Sequence, residues 1–331
     1  MSAPLKHHYL PVFYLKRWAG ADRKICEFSV PYGRIYKRRI YPVQTGFVER
    51  LYEMKGVPAA VAQQVEEEFM KPIDTFASIS LAQLERGDEQ NGIPIKSKWG
   101  TLLSILRYLF HRQPVVKAQK RNPIDHDPRY RSAWSLFIMT LLMRMPEDLK
   151  ALSAALEAQW ETGLKQIEKK YAASRQPSDP ITLQEFIDKN DPGHMERWTL
   201  NVARFLMDHE GIGQLLNNMR WFVVNTIGTN LQFLTSDRPV IMSATLTEPD
   251  AYLFLPIGPQ RVFVAVLNAE TGIKIWRRPL PELVSSVNDV IAGHAIKYVY
   301  GCDDSQLKFV GEHIFKRPQK SLMEHLAERY R

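Results

Sequence analysis

Cysteine is scarce: Cys26 and Cys302 are the only two in 331 residues. They lie far apart and fit no metal-ligand spacing. Two thiols also cannot build a disulfide framework, so a reducing compartment is expected. No apolar run reaches the ~20 residues of a membrane span. Lysine and arginine interrupt the opening residues, which lack the apolar core of a signal peptide. The expectation is a cytoplasmic protein with no membrane partner. The chain also lacks a Gly-rich phosphate loop, a Gly-x-Ser-x-Gly elbow, a His-Glu-x-x-His pair and a kinase signature. Nucleoside-triphosphate hydrolysis and serine-hydrolase chemistry are therefore not expected. Internal repeats and low-complexity tracts are absent as well.

What is present suffices for a large core: 45% of the residues are hydrophobic and 11% aromatic. The formal charge of +8 is unevenly spread. Residues 1–50 hold ten Lys or Arg against three acids, and residues 107–131 hold seven against two, so the remainder is net acidic. Such clustering is the footprint of an anionic partner, nucleic acid foremost. A basic but merely solvated surface is the plain alternative.

Periodicity divides the chain into three stretches. Residues 24–41 read as a hairpin, in which Lys24-Ile25-Cys26-Glu27-Phe28-Ser29 alternates, Pro31-Tyr32-Gly33 turns, and a second strand carries Arg34, Tyr36, Lys37, Arg38 and Arg39. That strand either lies along a phosphate backbone with its tyrosines on bases or is an edge protected by its charges. Residues 57–217 read as helical, with Glu66-Glu67-Glu68 inside the first helix and a kink or break at Pro72. A second helix ends near His111-Arg112-Gln113-Pro114, and Asp125-His126-Asp127 stands in a loop that either binds a metal or simply turns. A buried helix over 134–145, an exposed one over 146–170, a linker at 172–180, a capping pattern at Thr182–Glu185 and a helix over 191–217 complete the stretch. Residues 221–300 read as strand-rich, with strands near 221–225, 233–235, 253–256 and 260–267, a turn at Ile257-Gly258-Pro259 and a closing helix over 281–295. The fold class expected is α+β: a helical majority beside a small antiparallel sheet built from the hairpin and the C-terminal third, in a single two-layered domain.

Two stretches stand out. His7-His8-Tyr9-Leu10-Pro11-Val12-Phe13-Tyr14-Leu15-Lys16-Arg17-Trp18 is far richer in rings than a fraying terminus, so it is buried, bound or both. The other is Phe233-Leu234-Thr235-Ser236-Asp237-Arg238-Pro239-Val240, and the two are expected to meet in the fold. His8 through Leu15 followed by Trp18 resembles the opening of the bacterial family catalogued as domain of unknown function 4238. The 233–240 stretch is similar to that family's Thr-Ser-Asp-Asn-Pro-Val segment, with Arg238 in place of the usual Asn, and residues 287–300 resemble its closing helix and strand. The resemblance spans nearly the whole chain and implies no particular reaction.

If His8 and Asp237 converge, the carboxylate holds the imidazole in one tautomer and raises its basicity for acid–base work. Arg17 would then neutralise developing negative charge. Tyr14, Arg34, Lys37, Arg38, Arg39 and Arg112 are the expected nucleic-acid contacts. The sequence specifies no cofactor; a divalent metal at Glu67 is an open alternative. This set suggests a nuclease, RNA favoured, of the kind used by bacterial defence or toxin effectors. The competing expectation is a binding module for nucleic acid or protein with a basic surface and no chemistry. On a third account both motifs are architectural, with Asp237 bonding nearby amides to pin the N-terminus.

Overall fold

The computed structural model describes residues 5–90, 128–243, 245–318, 320, 324 and 325. The helix expected to end at Arg112 and the Asp125-His126-Asp127 loop lie outside them. The described chain is α+β, with its strands in three antiparallel sheets instead of one. β1 (Lys6–His8) pairs with β4 (Phe47–Glu49), setting His8 opposite Phe47. A second sheet runs β3 (Tyr36–Ile40), β2 (Ile25–Ser29), β10 (Val299–Gly301), β6 (Thr235–Ser236). The third runs β5 (Arg220–Asn225), β9 (Arg261–Val266), β8 (Tyr252–Gly258), β7 (Ile241–Met242). The turn between β8 and β9 falls at Pro259 and Gln260, slightly later than the Gly-Pro pair suggests, because β8 carries an irregularity between Pro256 and Gly258 that lengthens it.

Alternation along these strands feeds two cores. Ile25, Tyr300, Leu253, Leu255, Phe263 and Ala265 face one cluster, which they share with the helices. Their neighbours Cys26, Phe28, Val299, Phe254, Val262 and Val264 face the other. α1 (Val12–Leu15) opens the first core, and α2 (Ala59–Ala62) and α3 (Lys71–Gln90) follow it. α4 (Pro128–Met143) is buried over its second half, and α5 (Pro146–Ser174) begins at the proline three residues later. α6 (Leu183–Asn190) has the expected capping box between Thr182 and Glu185. The helix expected over 191–217 is two, α7 (His194–Met207) and α8 (Glu210–Asn218), parted at Asp208 and His209. The second core lies under α9 (Ala269–Arg277), α10 (Leu280–His294) and α11 (Leu307–His313). The inner strands of the larger sheets are thus covered on both faces, whereas the edge strand β3 is exposed.

Pro72 does not break its helix. Val65–Met70 winds as a π-helix, in which the Lys71 amide reaches back to the Glu66 carbonyl, and α3 then carries Pro72 in its first turn. A proline inside regular α winding would clash with the carbonyl four residues earlier; the wider turn relieves that clash. The same change of winding sets the directions of the three glutamates.

Candidate acid–base site

The two conspicuous motifs do meet, through rings. Tyr14 is fully buried; its hydroxyl lies 2.7 Å from the Pro256 carbonyl, to which it donates, and 2.8 Å from Thr235 Oγ1. The Trp18 indole N–H donates to the Phe233 carbonyl at 2.9 Å. Tyr14 is therefore a structural pin, not an accessible contact for nucleic acid.

Asp237 is spent on the backbone. Its carboxylate accepts the amides of Ile296 at 2.9 Å, Lys297 at 2.5 Å and Tyr298 at 3.0 Å, clamping the segment between α10 and β10. Burial pushes its pKa up to about 6 against the pull of those amides, which leaves it ionised at neutral pH. Among the described residues Asp237 makes no hydrogen bond or ion pair with His8, so the expected dyad does not form.

His8 belongs to another corner, built where β1, the π turn and the joint between α4 and α5 come together. Its neighbour His7 fixes the backbone there: Nδ1 accepts the Tyr52 amide at 2.8 Å, so Nε2 carries the proton and donates to Gln63 Oε1 at 2.8 Å. The Tyr52 hydroxyl in turn donates to the Arg144 carbonyl at 3.0 Å. Arg144 sits between α4 and α5 with 1% of its side chain exposed. Its Nη1 donates to Asp74 Oδ1 at 3.0 Å and the guanidinium lies 5.5 Å from the Phe137 ring centre. Nε and Nη2 of Arg144, Nε2 of His8 and Oε2 of Glu66 are buried and, among the described residues, have no hydrogen-bond partner. Native interiors rarely leave such atoms without partners, and Arg144 interacts electrostatically with both His8 and Glu66, which makes its surroundings a candidate place for a polar ligand.

The electrostatics agree. Burial lowers the His8 pKa, against a backbone bond from Val43 and with help from Lys6, Arg144 and His7, so the ring is neutral at physiological pH. Burial, with Asp74 adding to it and Arg144 opposing, raises Glu66 to about 7. Asp74 is raised by burial and held down by Arg144. Glu66 and His8 are only half-buried and Asp74 keeps 25% of its side chain exposed, so the buried guanidinium forms a floor with titratable groups nearer the surface. A neutral imidazole, a carboxyl near half-protonation and a guanidinium with two free donors form a set suited to acid–base chemistry on a substrate that develops negative charge.

The other expected site residues are placed elsewhere. Arg17 pairs with Glu85, and burial and Arg261 lower its pKa. Glu67 points to solvent and bonds Lys71 at 2.5 and 2.7 Å; among the described residues no group of three His, Cys, Asp or Glu could hold a metal ion. Lys37 pairs with Asp304, Arg38 with Glu27 at 2.6 Å, and Arg39 with Asp22 at 2.6 Å. Arg34 is exposed, and Arg112 lies outside the described residues. Sequence reasoning misses Glu66, Asp74 and Arg144. The available signals were Arg144 as the lone cation closing an apolar run and the first of three glutamates in a helix disturbed by proline.

The fold is α+β, and the Arg144 corner is its candidate acid–base site. By sequence the chain belongs to the family described as protein of unknown function (DUF4238), whose model matches residues 6–305. No curated protein and no solved structure matches it.

Proposed function

We propose that the chain is a nuclease, RNA favoured, and that the phosphodiester is cleaved at the Arg144 corner. The observation that supports this most is Arg144 itself, enclosed yet with Nε and Nη2 unpartnered beside a neutral His8 and a Glu66 that titrates near pH 7. In this reading His8 Nε2 takes the proton of the attacking hydroxyl, the ribose 2′-OH. As the new P–O bond forms and the bond to the leaving oxygen breaks, Glu66 Oε2 gives that oxygen its proton. Arg144 bonds the phosphoryl oxygens as charge accumulates on them. RNA is favoured because its own hydroxyl supplies the nucleophile. The corner is near charge balance, so attraction for a polyanion comes from the N-terminal fifty residues.

The test is cleavage of end-labelled single-stranded RNA, single-stranded DNA and duplex DNA with magnesium, manganese or EDTA. Glu66→Gln and His8→Ala should each lower the rate by about 10²–10⁴, with the unfolding midpoint of Glu66→Gln no lower than that of wild type. Survival of cleavage in EDTA would show that no divalent metal is needed. Full activity in Glu66→Gln would overturn the assignment, and a strand that is retarded but intact would leave the binding module standing.

A further inference from the structure

The hairpin offers a surface that neither the acid–base corner nor the paired cations account for. Tyr32 is fully exposed at its tip, and its φ of +55° is a left-handed conformation that a bulky side chain seldom adopts. Tyr36 on the edge strand is 54% exposed and Tyr41, at its end, 43%. Lys24 lies over the Tyr41 ring, 5.1 Å from its centre. Exposed rings along a sheet edge are available to stack on flat groups of a partner. Charge says which partner. Residues 22–41 hold six Lys or Arg against two acids, a local net of +4. Among the ten cations of residues 1–50, Arg17, Lys37, Arg38, Arg39 and Arg50 have carboxylate partners. Of the remaining five, Arg34, Lys24 and Arg23 lie on or beside the hairpin, near its rings.

We infer that the outer edge of this hairpin docks single-stranded nucleic acid, with bases stacked on Tyr32, Tyr36 and Tyr41 and phosphates held by Arg34 and Lys24. Single strands are what flat rings can grip, because every unpaired base has an exposed face, whereas a duplex hides its own. The path leads to the proposed site. β3 spans about 17 Å at its five residues, and Tyr41 is followed two residues later by Val43, whose backbone bonds the His8 ring. Tyr36 and Tyr41, an odd number of positions apart, lie on opposite faces of the strand, so a nucleic acid would wrap its edge, and the end at Tyr41 is close along the chain to the Val43 that bonds His8. This inference rests on the nuclease reading for the direction of the track, but not for the docking itself.

The experiment is equilibrium binding of a labelled pyrimidine RNA 12-mer to full-length Glu66→Gln protein at two salt concentrations, with a duplex of the same length in parallel. Tyr32→Ala and Tyr36→Ala should each weaken binding about tenfold, while Tyr32→Phe and Tyr36→Phe retain it. Arg34→Ala should flatten the salt dependence, and Lys37→Ala, already tied to Asp304, should change it little. Equal losses in the Ala and Phe variants, no loss in either, or preference for the duplex would overturn the inference. Cleavage assays separate the two ideas. Tyr-dependent binding without cleavage in the wild-type chain leaves docking intact and removes the nuclease, whereas Tyr-dependent binding with cleavage indifferent to Tyr32→Ala and Tyr36→Ala removes only the track to His8.

Discussion

Two buried acids show what distinguishes an architectural carboxylate from a reactive one. Asp237 meets three amides within 3.0 Å. Glu66 has a buried oxygen with no protein partner, and its pKa rises to about 7. Both sit in low-dielectric surroundings, and burial is the leading influence on each. The difference is hydrogen bonding. Amides that converge on a carboxylate consume its capacity and convert it into a clamp, whereas a carboxyl left unsolvated and unbonded keeps its proton available.

The sharpest way to break the contrast is to remove the clamp. Asp237→Ala should cost about 2–4 kcal/mol in urea unfolding, since three amides lose their acceptor at once. Wild-type stability in that variant would mean that the amides are satisfied by water and that Asp237 is free for other work. Glu66→Gln should act in the opposite direction. A carboxyl whose folded pKa lies above its unfolded value contributes most at low pH and loses that contribution as pH rises from about 4.5 towards 7. The variant should therefore match wild type near pH 4.5 and exceed it by about 1–3 kcal/mol at pH 8. Asp237, shifted the same way between 3.8 and about 6, gives both proteins a shared decline, so the difference between them isolates Glu66. The smallest effect is expected from Tyr14→Phe, which loses two hydrogen bonds but keeps the ring's packing. About 1–2 kcal/mol, read from the same unfolding curves, would fit a pin; loss of nucleic-acid binding without loss of stability would return Tyr14 to the contact set.

The hairpin, the capping box at Thr182, the buried helix that precedes Arg144 and the approach of the two motifs were legible in the sequence, because each rests on local periodicity or on rings that must be buried somewhere. The site itself was less so. Asp237 drew attention because Ser-Asp-x-Pro is distinctive, yet distinctiveness here reflects a turn with exact hydrogen-bonding needs. Glu66 looked like a member of a solvated acidic run, since the winding that turns it inward is non-local information set by Pro72 and the packing around it. Arg144 and Asp74 come from elements seventy residues apart, and nothing in either segment announces the other. The single sheet anticipated from the hairpin and the C-terminal third became three because β10 and β6 complete the hairpin's sheet and the longer β5, β9 and β8 pair among themselves.

The position of β10 between β2 and β6 carries a consequence for how the molecule is made. β2 leaves the ribosome some 270 residues before the strand that must pair with it. At ~5–20 residues per second that is an interval of about 15–55 s. Throughout it β2, whose Phe28 is destined for full burial, lacks the strand that pairs with it on that side. The unpaired edge of β2 is thus open to aggregation until β10 is synthesised, and a cluster of like charges in residues 1–50 is well placed to keep neighbouring chains on a polysome apart.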